Sequence, residues 1–393
     1  TLQKYPSLFP STPSEQAPDV IAYVDPKFKM PQVWRSNLNV DIQLPYDFML
    51  SVGAMYTRDI YNVAQINMNE AEPTGVYNEQ PDRIYWASKK YEYNDYTNGK
   101  NVVVKLSNGE DKGYQYSFNA ILTKKYDFGF TGSIGYTYTM AKDLTANPGS
   151  APNSAWQNNV AVNSLNDPGV SYSLFSTPHR IIANASYEIN YAKCLKTTFS
   201  LFYSGYHTGR YSYTYYNDMN GDGNYSDLIY VPNSQDEMTF VDITDKSGAI
   251  TYSAVDQAKD FWDFVNNDSY LKDRKGKYVE RNGSLTPWIN RFDFKIAQDF
   301  YATLGGRKYG IQVSLDMLNV GNMINSKWGA YQSCGLKSYD NVQLLKTASK
   351  VGEPLTYQIN ANSREAFKER SSWQYTNTIG SAWSMQLGVK VTF

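Results

Sequence analysis

Cysteine, histidine and long apolar runs are what this sequence has least of. Its 393 residues include two cysteines, Cys194 and Cys334, and two histidines, His179 and His207. Two cysteines are far too few for a disulfide scaffold. The patterns G-x-S-x-G, H-E-x-x-H and C-x-x-C and a phosphate-binding loop are all missing, so catalysis has little support and the chain is expected not to be an enzyme. Carboxylate pairs of the glycosidase type stay open only because Asp is common between the periodic segments. No stretch of about 18 apolar residues occurs, which excludes a helical membrane span. Neither charge sign dominates: 37 Lys and Arg stand against 38 Asp and Glu, a net charge of −1. Global electrostatics therefore gives no argument for nucleic acid. No signal peptide is visible ahead of Thr1, so the chain is expected to be mature, trimmed or part of something longer.

Aromatic residues are abundant. They make up 15% of the chain, and the 35 tyrosines are twice the 17 phenylalanines. A disordered chain would lack them. High polarity, with a mean hydropathy of −0.54, many aromatics and no long apolar run together describe a transmembrane β-barrel in bulk statistics. A soluble all-β protein has similar statistics, so periodicity has to separate the two.

From Phe128 to Met140 the residues Phe128, Phe130, Ile134, Tyr136, Tyr138 and Met140 share one face, and Gly129, Thr131, Ser133, Gly135, Thr137 and Thr139 share the other. The first set suits lipid and the second a wet lumen. Trp383, Met385, Leu387, Val389, Val391 and Phe393 repeat the alternation at the C-terminus. Strands are expected at 33–44, 47–58, 114–126, 128–141, 179–191, 195–207, 289–301 and 308–320, with the terminal one making nine. Segments of this length cross a bilayer as tilted strands.

Their connections alternate short and long. The long ones are 59–113, 142–178, 208–288 and 321–381. Outer-membrane barrels have short periplasmic turns and longer extracellular loops, which fixes an orientation. The expected fold is all-β, an antiparallel transmembrane β-barrel over 33–393, with 1–32 as the end of an extracellular loop. Trp34, Tyr56, Tyr126, Tyr136, Tyr138, Tyr191 and Trp383 fall near strand ends, as an aromatic girdle would. The orientation puts Cys194 in a periplasmic turn and Cys334 outside, a membrane thickness apart, whereas bonded cysteines need Cα atoms within about 7 Å.

Four segments, in order, carry a family resemblance: Asp218–Asn224 leading into Asp227–Pro232, Tyr278–Gly283, Pro287–Asp293 and Leu315–Asn322. Together with the terminal Leu387–Phe393 they resemble the C-terminal barrel of TonB-dependent outer-membrane transporters, in particular the Oar-like branch of Bacteroidetes. The resemblance implies a cell outer-membrane protein of a Gram-negative bacterium. It also implies a 22-stranded barrel, an N-terminal plug, contact with TonB and energised uptake of a nutrient such as a glycan or peptide. In that family the last aromatic, here Phe393, is read by the assembly machinery. This chain shows no plug and holds fewer than half those strands, so it is expected to be a C-terminal portion whose partners are outer-membrane lipid, the plug and the remaining strands. A closed eight-stranded barrel, a passive porin or adhesin-type barrel and a soluble Tyr-rich glycan-binding protein are the alternatives. The residues do not decide whether a surface lipoprotein docks on the loops.

Three groups of residues are candidates for function. Asp218, Asn220 and Asp222 followed by Gly223 match the opening of a calcium loop, with Asn224 and Asp227 as further oxygen donors. Ile229 stands where an EF-hand needs Glu, so a structural calcium is expected only in a non-EF-hand form; a glycine-rich turn is the other reading. Tyr211, Tyr213, Tyr215 and Tyr216 would offer flat faces with hydroxyls to a glycan or peptide; an ordinary strand above the membrane is the simpler account. Arg291, Asp293, Lys295, Asp299 and Asp316 would put mixed charge on the lumen side. A peptide map is expected to recover Cys194 and Cys334 as free thiols; a crosslink between them would overturn the topology.

Overall fold

The computed structural model describes residues 20–93, 102–225, 227–334, 337–338, 341–360, 373–376 and 378–393. Pro6, Pro10, Pro13 and Pro18, from the segment expected to end an extracellular loop, lie outside them. Nine long strands form one sheet in sequence order. They are β1 (Gln32–Leu44), β2 (Phe48–Tyr61), β3 (Tyr114–Lys125), β4 (Phe130–Asp143), β5 (His179–Tyr191), β6 (Leu195–His207), β7 (Trp288–Leu304), β8 (Arg307–Leu318) and β9 (Ser384–Thr392). Every neighbouring pair is antiparallel. The nine expected strands are all present, with only their ends shifted.

Short turns close one end of the sheet. Between β7 and β8 the two-residue connection Gly305–Gly306 has φ of 58° and 78°. Positive φ at both central residues is the hairpin geometry that matches strand twist, and glycine adopts it without steric cost. Ala192 and Lys193 take the same sign of φ between β5 and β6, where a Cβ makes it costlier.

Register carries the apolar positions across the whole sheet. Val40 lies opposite Val52, Val52 opposite Ala120, Ala120 opposite Tyr136 and Tyr136 opposite Ile181. Further along, Ala185, Leu201, Phe294, Met317 and Met385 continue the row. These side chains are not covered by protein: Leu38 is 66% exposed and Leu387 72%. Leaving such residues in water forgoes about 1.5–3 kcal/mol each, so a band of them across nine strands has to meet hydrocarbon. The opposite face is polar and bonded across strands. Ser51 donates to Asp41, Asn184 to Ser133 at 2.7 Å, and Lys295 pairs with Asp316 at 2.8 Å. A slip of one residue would exchange the two faces on every strand, so the lipid interface fixes the register.

Aromatic rings gather at both margins of the band. Trp34 and Tyr56 meet edge to face at 6.1 Å near the long-loop end, and Tyr126 and Phe128 lie 5.1 Å apart near the short turns. The small closed barrel considered above does not form. β1 and β9 stand at opposite ends of the strand order and do not pair, so nine strands already lie in a row without closing.

The long loops at the other end pack into a body with its own core. Val20–Val24 joins it, pairing in parallel with Val102–Ser107, which in turn pairs with Ala64–Asn67. Arg210–Tyr215 pairs in parallel with Asn341–Thr347. The helix Ala254–Asn267 lies over that sheet; Ser253 caps it through the Asp256 N–H, and Gln257, Phe261, Phe264 and Val265 form its buried stripe. Cys194 is exposed in a short turn, Cys334 is buried in the last long loop, and both are free thiols.

Face assignment makes a paired prediction. Ala185→Lys, on the lipid side of β5, lowers the stability of the membrane-inserted native protein by about 2–4 kcal/mol. Asn184→Lys, one residue away on the polar side, changes it far less. Denaturant unfolding from lipid vesicles measures both.

Candidate functional site

All four long loops converge on one buried guanidinium. Arg83, in the first loop, is fully buried. Its Nη1 donates to the Val162 carbonyl of the second loop, and its Nη2 donates to the Leu228 carbonyl of the third. Nη1 also lies 3.5 Å from the Asp227 carboxylate, and the guanidinium stacks 4.8 Å from the Tyr278 ring. Arg83 Nε donates to Gln80 Oε1 at 3.2 Å, and Gln80 Nε2 donates to the hydroxyls of Tyr215 and Tyr357, each at 2.9 Å. Tyr357 belongs to the fourth loop. Planar donors in a fixed fork allow one arginine to hold several acceptors in this way.

This node decides the tyrosine candidates. Tyr211, Tyr213 and Tyr215 are 3%, 1% and 0% exposed, so they present no face to a ligand. They are core of the loop body: Tyr211 and Tyr213 meet edge to face at 5.2 Å, and the Tyr213 hydroxyl donates to Asp268 at 2.7 Å. Alternation along Arg210–Tyr215 does not mean one wet face, because the strand is buried on both sides. Burial raises all three phenols, Tyr211 to about 12. Tyr216 alone is exposed.

The segment from Asp218 to Asp227 folds as a ladder of Asx turns. Asp218 accepts from the N–H groups of Gly221 and Gly223, Asn220 from that of Asp222, and Asp222 from that of Asn224. Asp227 accepts from the Met219 N–H at 3.1 Å and faces Arg83. Gly221 and Gly223 have φ of 82° and 95°, which the ladder requires and side chains resist. Both Asp218 oxygens are taken by backbone N–H groups, Asp227 already faces a cation, and no group of three or more His, Cys, Asp or Glu side chains among the described residues is placed to hold a metal. Burial raises the Asp227 carboxyl to about 7 and holds Asp222 well above the usual carboxylate range, the latter further raised by Asp227 and Asp218.

Two adjoining clefts open in the loop body. One of about 490 Å³ is lined by Gln65, Asn108, Thr145, Trp156, Asn159 and Asn166, and one of about 630 Å³ by Asn163, Arg274, Tyr278, Glu280 and Arg281. Asp111, Asp167 and Pro168 border both. The amides are held in place: Asn166 accepts from the Trp156 indole N–H at 3.0 Å, and its Nδ2 donates to Glu70 at 2.9 Å. Burial raises Glu70 despite those bonds. Arg274 pairs with Glu280 at 3.4 Å and Arg281 with Asp143 at 3.6 Å, whereas the Asp111 and Asp167 carboxylates enter no ion pair among the described residues. Clefts of this size take small ligands or a few residues of a polymer, and fixed amides beside unpaired carboxylates suit one rich in hydroxyl or amine groups. Nothing in the sequence flagged these residues, since loop amides and carboxylates carry no spacing pattern.

The lumen candidates share the polar face of β7 and β8, and each is paired there. Lys295 pairs with Asp316, Arg291 with Asp293 at 3.4 Å, and Asp299 with Lys196 at 3.6 Å while accepting from Gln312 at 2.8 Å. Phe393 follows β9 and is 94% exposed.

A family model for an outer membrane beta barrel domain matches residues 2–328. The chain belongs to that family. Its apolar band is thus the lipid face of an outer-membrane barrel in a Gram-negative bacterium. Searches of curated proteins and of solved structures found no match to this barrel chain.

Two outcomes test the loop node. Arg83→Met leaves Asp227 and two carbonyls without their buried partner and lowers the stability of the loop body by about 3–5 kcal/mol, read as faster hydrogen exchange across 210–231. Excess EDTA leaves that exchange unchanged in the wild-type protein; faster exchange on chelation would instead install calcium in the loop. The raised carboxyls also set a pH dependence. Their stabilising contribution is full below the unfolded value near ~4 and is lost as pH rises through about 7, the Asp227 value. Protection of the same segment therefore falls over that window, and Asp222→Asn flattens the fall.

Proposed function

We propose that this chain forms barrel wall and ligand-capturing loops of a TonB-dependent importer. The observation that carries the reading is the row of nine strands that does not close. Among the described residues the outer edges of β1 and β9 lack a strand partner, and unpaired backbone in hydrocarbon is prohibitive. In this reading further strands complete a wide barrel, a plug fills it, and TonB supplies energy through that plug. The ion-paired ladder of Lys295, Asp316, Arg291 and Asp293 faces the plug. The clefts around Asp111 and Asp167 take up a polar nutrient of the glycan or peptide class above it, and the chain performs no chemistry on it. Phe393 at the exposed end of the last strand serves as the assembly mark.

A passive porin is the rival, and conductance separates the two. The native polypeptide, purified in detergent from its own membrane and inserted into a planar lipid bilayer, is expected to give no steady open-pore current, because the plug occludes the lumen. A large, steady conductance would replace import by diffusion.

A further inference from the structure

The barrel wall changes character beyond the end of β8. β7 continues outward from Phe294, the last of its residues paired to β8, as far as Trp288. Where β8 would continue beside it, the chain turns through Asn319, fully buried in a left-handed conformation with φ of 53°. The Asn319 N–H donates to Asp293 at 2.7 Å, and its Nδ2 donates to the carbonyls of Gly329 and Ser381 at 3.2 and 2.9 Å. Asn322 Nδ2 donates to the Trp328 carbonyl at 3.1 Å. A Cβ at Gly329 would stand 1.9 Å from the Asn319 side-chain oxygen, so only glycine lets the loop lie this close. The loop carrying Trp328 is therefore clamped to the barrel.

Between that loop and the outward face of β7 is a cavity of about 400 Å³. Trp288, Phe292, Trp328 and Tyr375 wall it, with Trp328 54% exposed. Phe292 belongs to the lipid-facing row, so the cavity opens toward the membrane and not the lumen. Its level is the outer aromatic margin, where the bilayer passes from acyl chain to headgroup. Among the described residues Lys327 is the one charged residue lining it, and no carboxylate does. The Lys327 ammonium lies 5.8 Å from the centre of the Tyr375 ring. Asn290 accepts from both the Tyr203 hydroxyl and the Trp288 indole N–H, at 2.7 and 2.9 Å, which turns its oxygen to the protein.

We propose that this cavity binds a phosphate-bearing glycolipid of the outer leaflet. The rings pack against an acyl chain, Lys327 meets the phosphate, and the Asn290 amide meets the sugar. A basic group set beside an apolar groove at headgroup depth is a chemistry that selects anionic lipid over zwitterionic. The site is built before lipid arrives, since Asn319 and Asn322 hold its roof.

Native mass spectrometry of the full-length protein in detergent micelles tests it, with lipid A, phosphatidylethanolamine of matched chain length and inorganic phosphate as probes. Lipid A is expected to stay bound at least tenfold more tightly than phosphatidylethanolamine, and inorganic phosphate not to compete. Lys327→Glu, an exposed change that leaves the fold intact, lowers lipid A retention at least tenfold. Arg307→Glu, at a periplasmic turn, leaves it unchanged. Equal retention by wild type and Lys327→Glu overturns the proposal, as does equal binding of the two lipids or displacement by free phosphate.

Discussion

The loop body depends on one buried cation. Arg83 sits where four loops meet, and each loop offers it, or Gln80 beside it, an oxygen that has no water to turn to: the Val162 and Leu228 carbonyls, the Asp227 carboxylate, the Tyr215 and Tyr357 hydroxyls. Hydrogen bonds of this kind add modestly to stability when made and cost much more when broken, because the orphaned group stays buried. Tyrosine core, Asx ladder and clefts are all arranged around that satisfaction. A charged side chain with no exposure thereby acts as the keystone of the loop body.

The sheet obeys a different constraint. Nothing but register and lipid separates its faces, and the same alternation that made nine strands legible in the sequence places Val40, Ala120, Leu201 and Met385 in hydrocarbon. The β7–β8 turn is marked by a different signal, the glycine pair at 305 and 306 with positive φ at both residues. Strand ends were less legible. β2 runs on to Tyr61, paired with Gln32 of β1 across a register shift that no local pattern encodes.

The loops were barely legible. Tyr211, Tyr213 and Tyr215 alternate as a half-exposed strand would, yet both faces are buried: Tyr213 packs on Phe264 of helix Ala254–Asn267, and Ser212 on the other side bonds to Asn282. Period-two reading assumes one wet side, and a strand packed between layers violates it. Arg83 gave no signal either: a lone arginine in a loop reads as solvated, and only the meeting of segments far apart in sequence buries it. The aspartates at 218, 222 and 227 were visible as a motif. The ladder of backbone N–H groups they accept was not, since it depends on the left-handed turns at Gly221 and Gly223.

The convergence at Arg83 also orders events in time. Gln80 and Tyr357 are 277 residues apart, and each long loop must be in place before it can contribute its share. Contacts of such sequence separation form late and slowly. Their common core can therefore close only after all four loops stand at the same end of the sheet. Until then the aromatic-rich segments, which hide their rings only against one another, lie open to any protease that meets them. Completion of the wall and concealment of the loops become a single step.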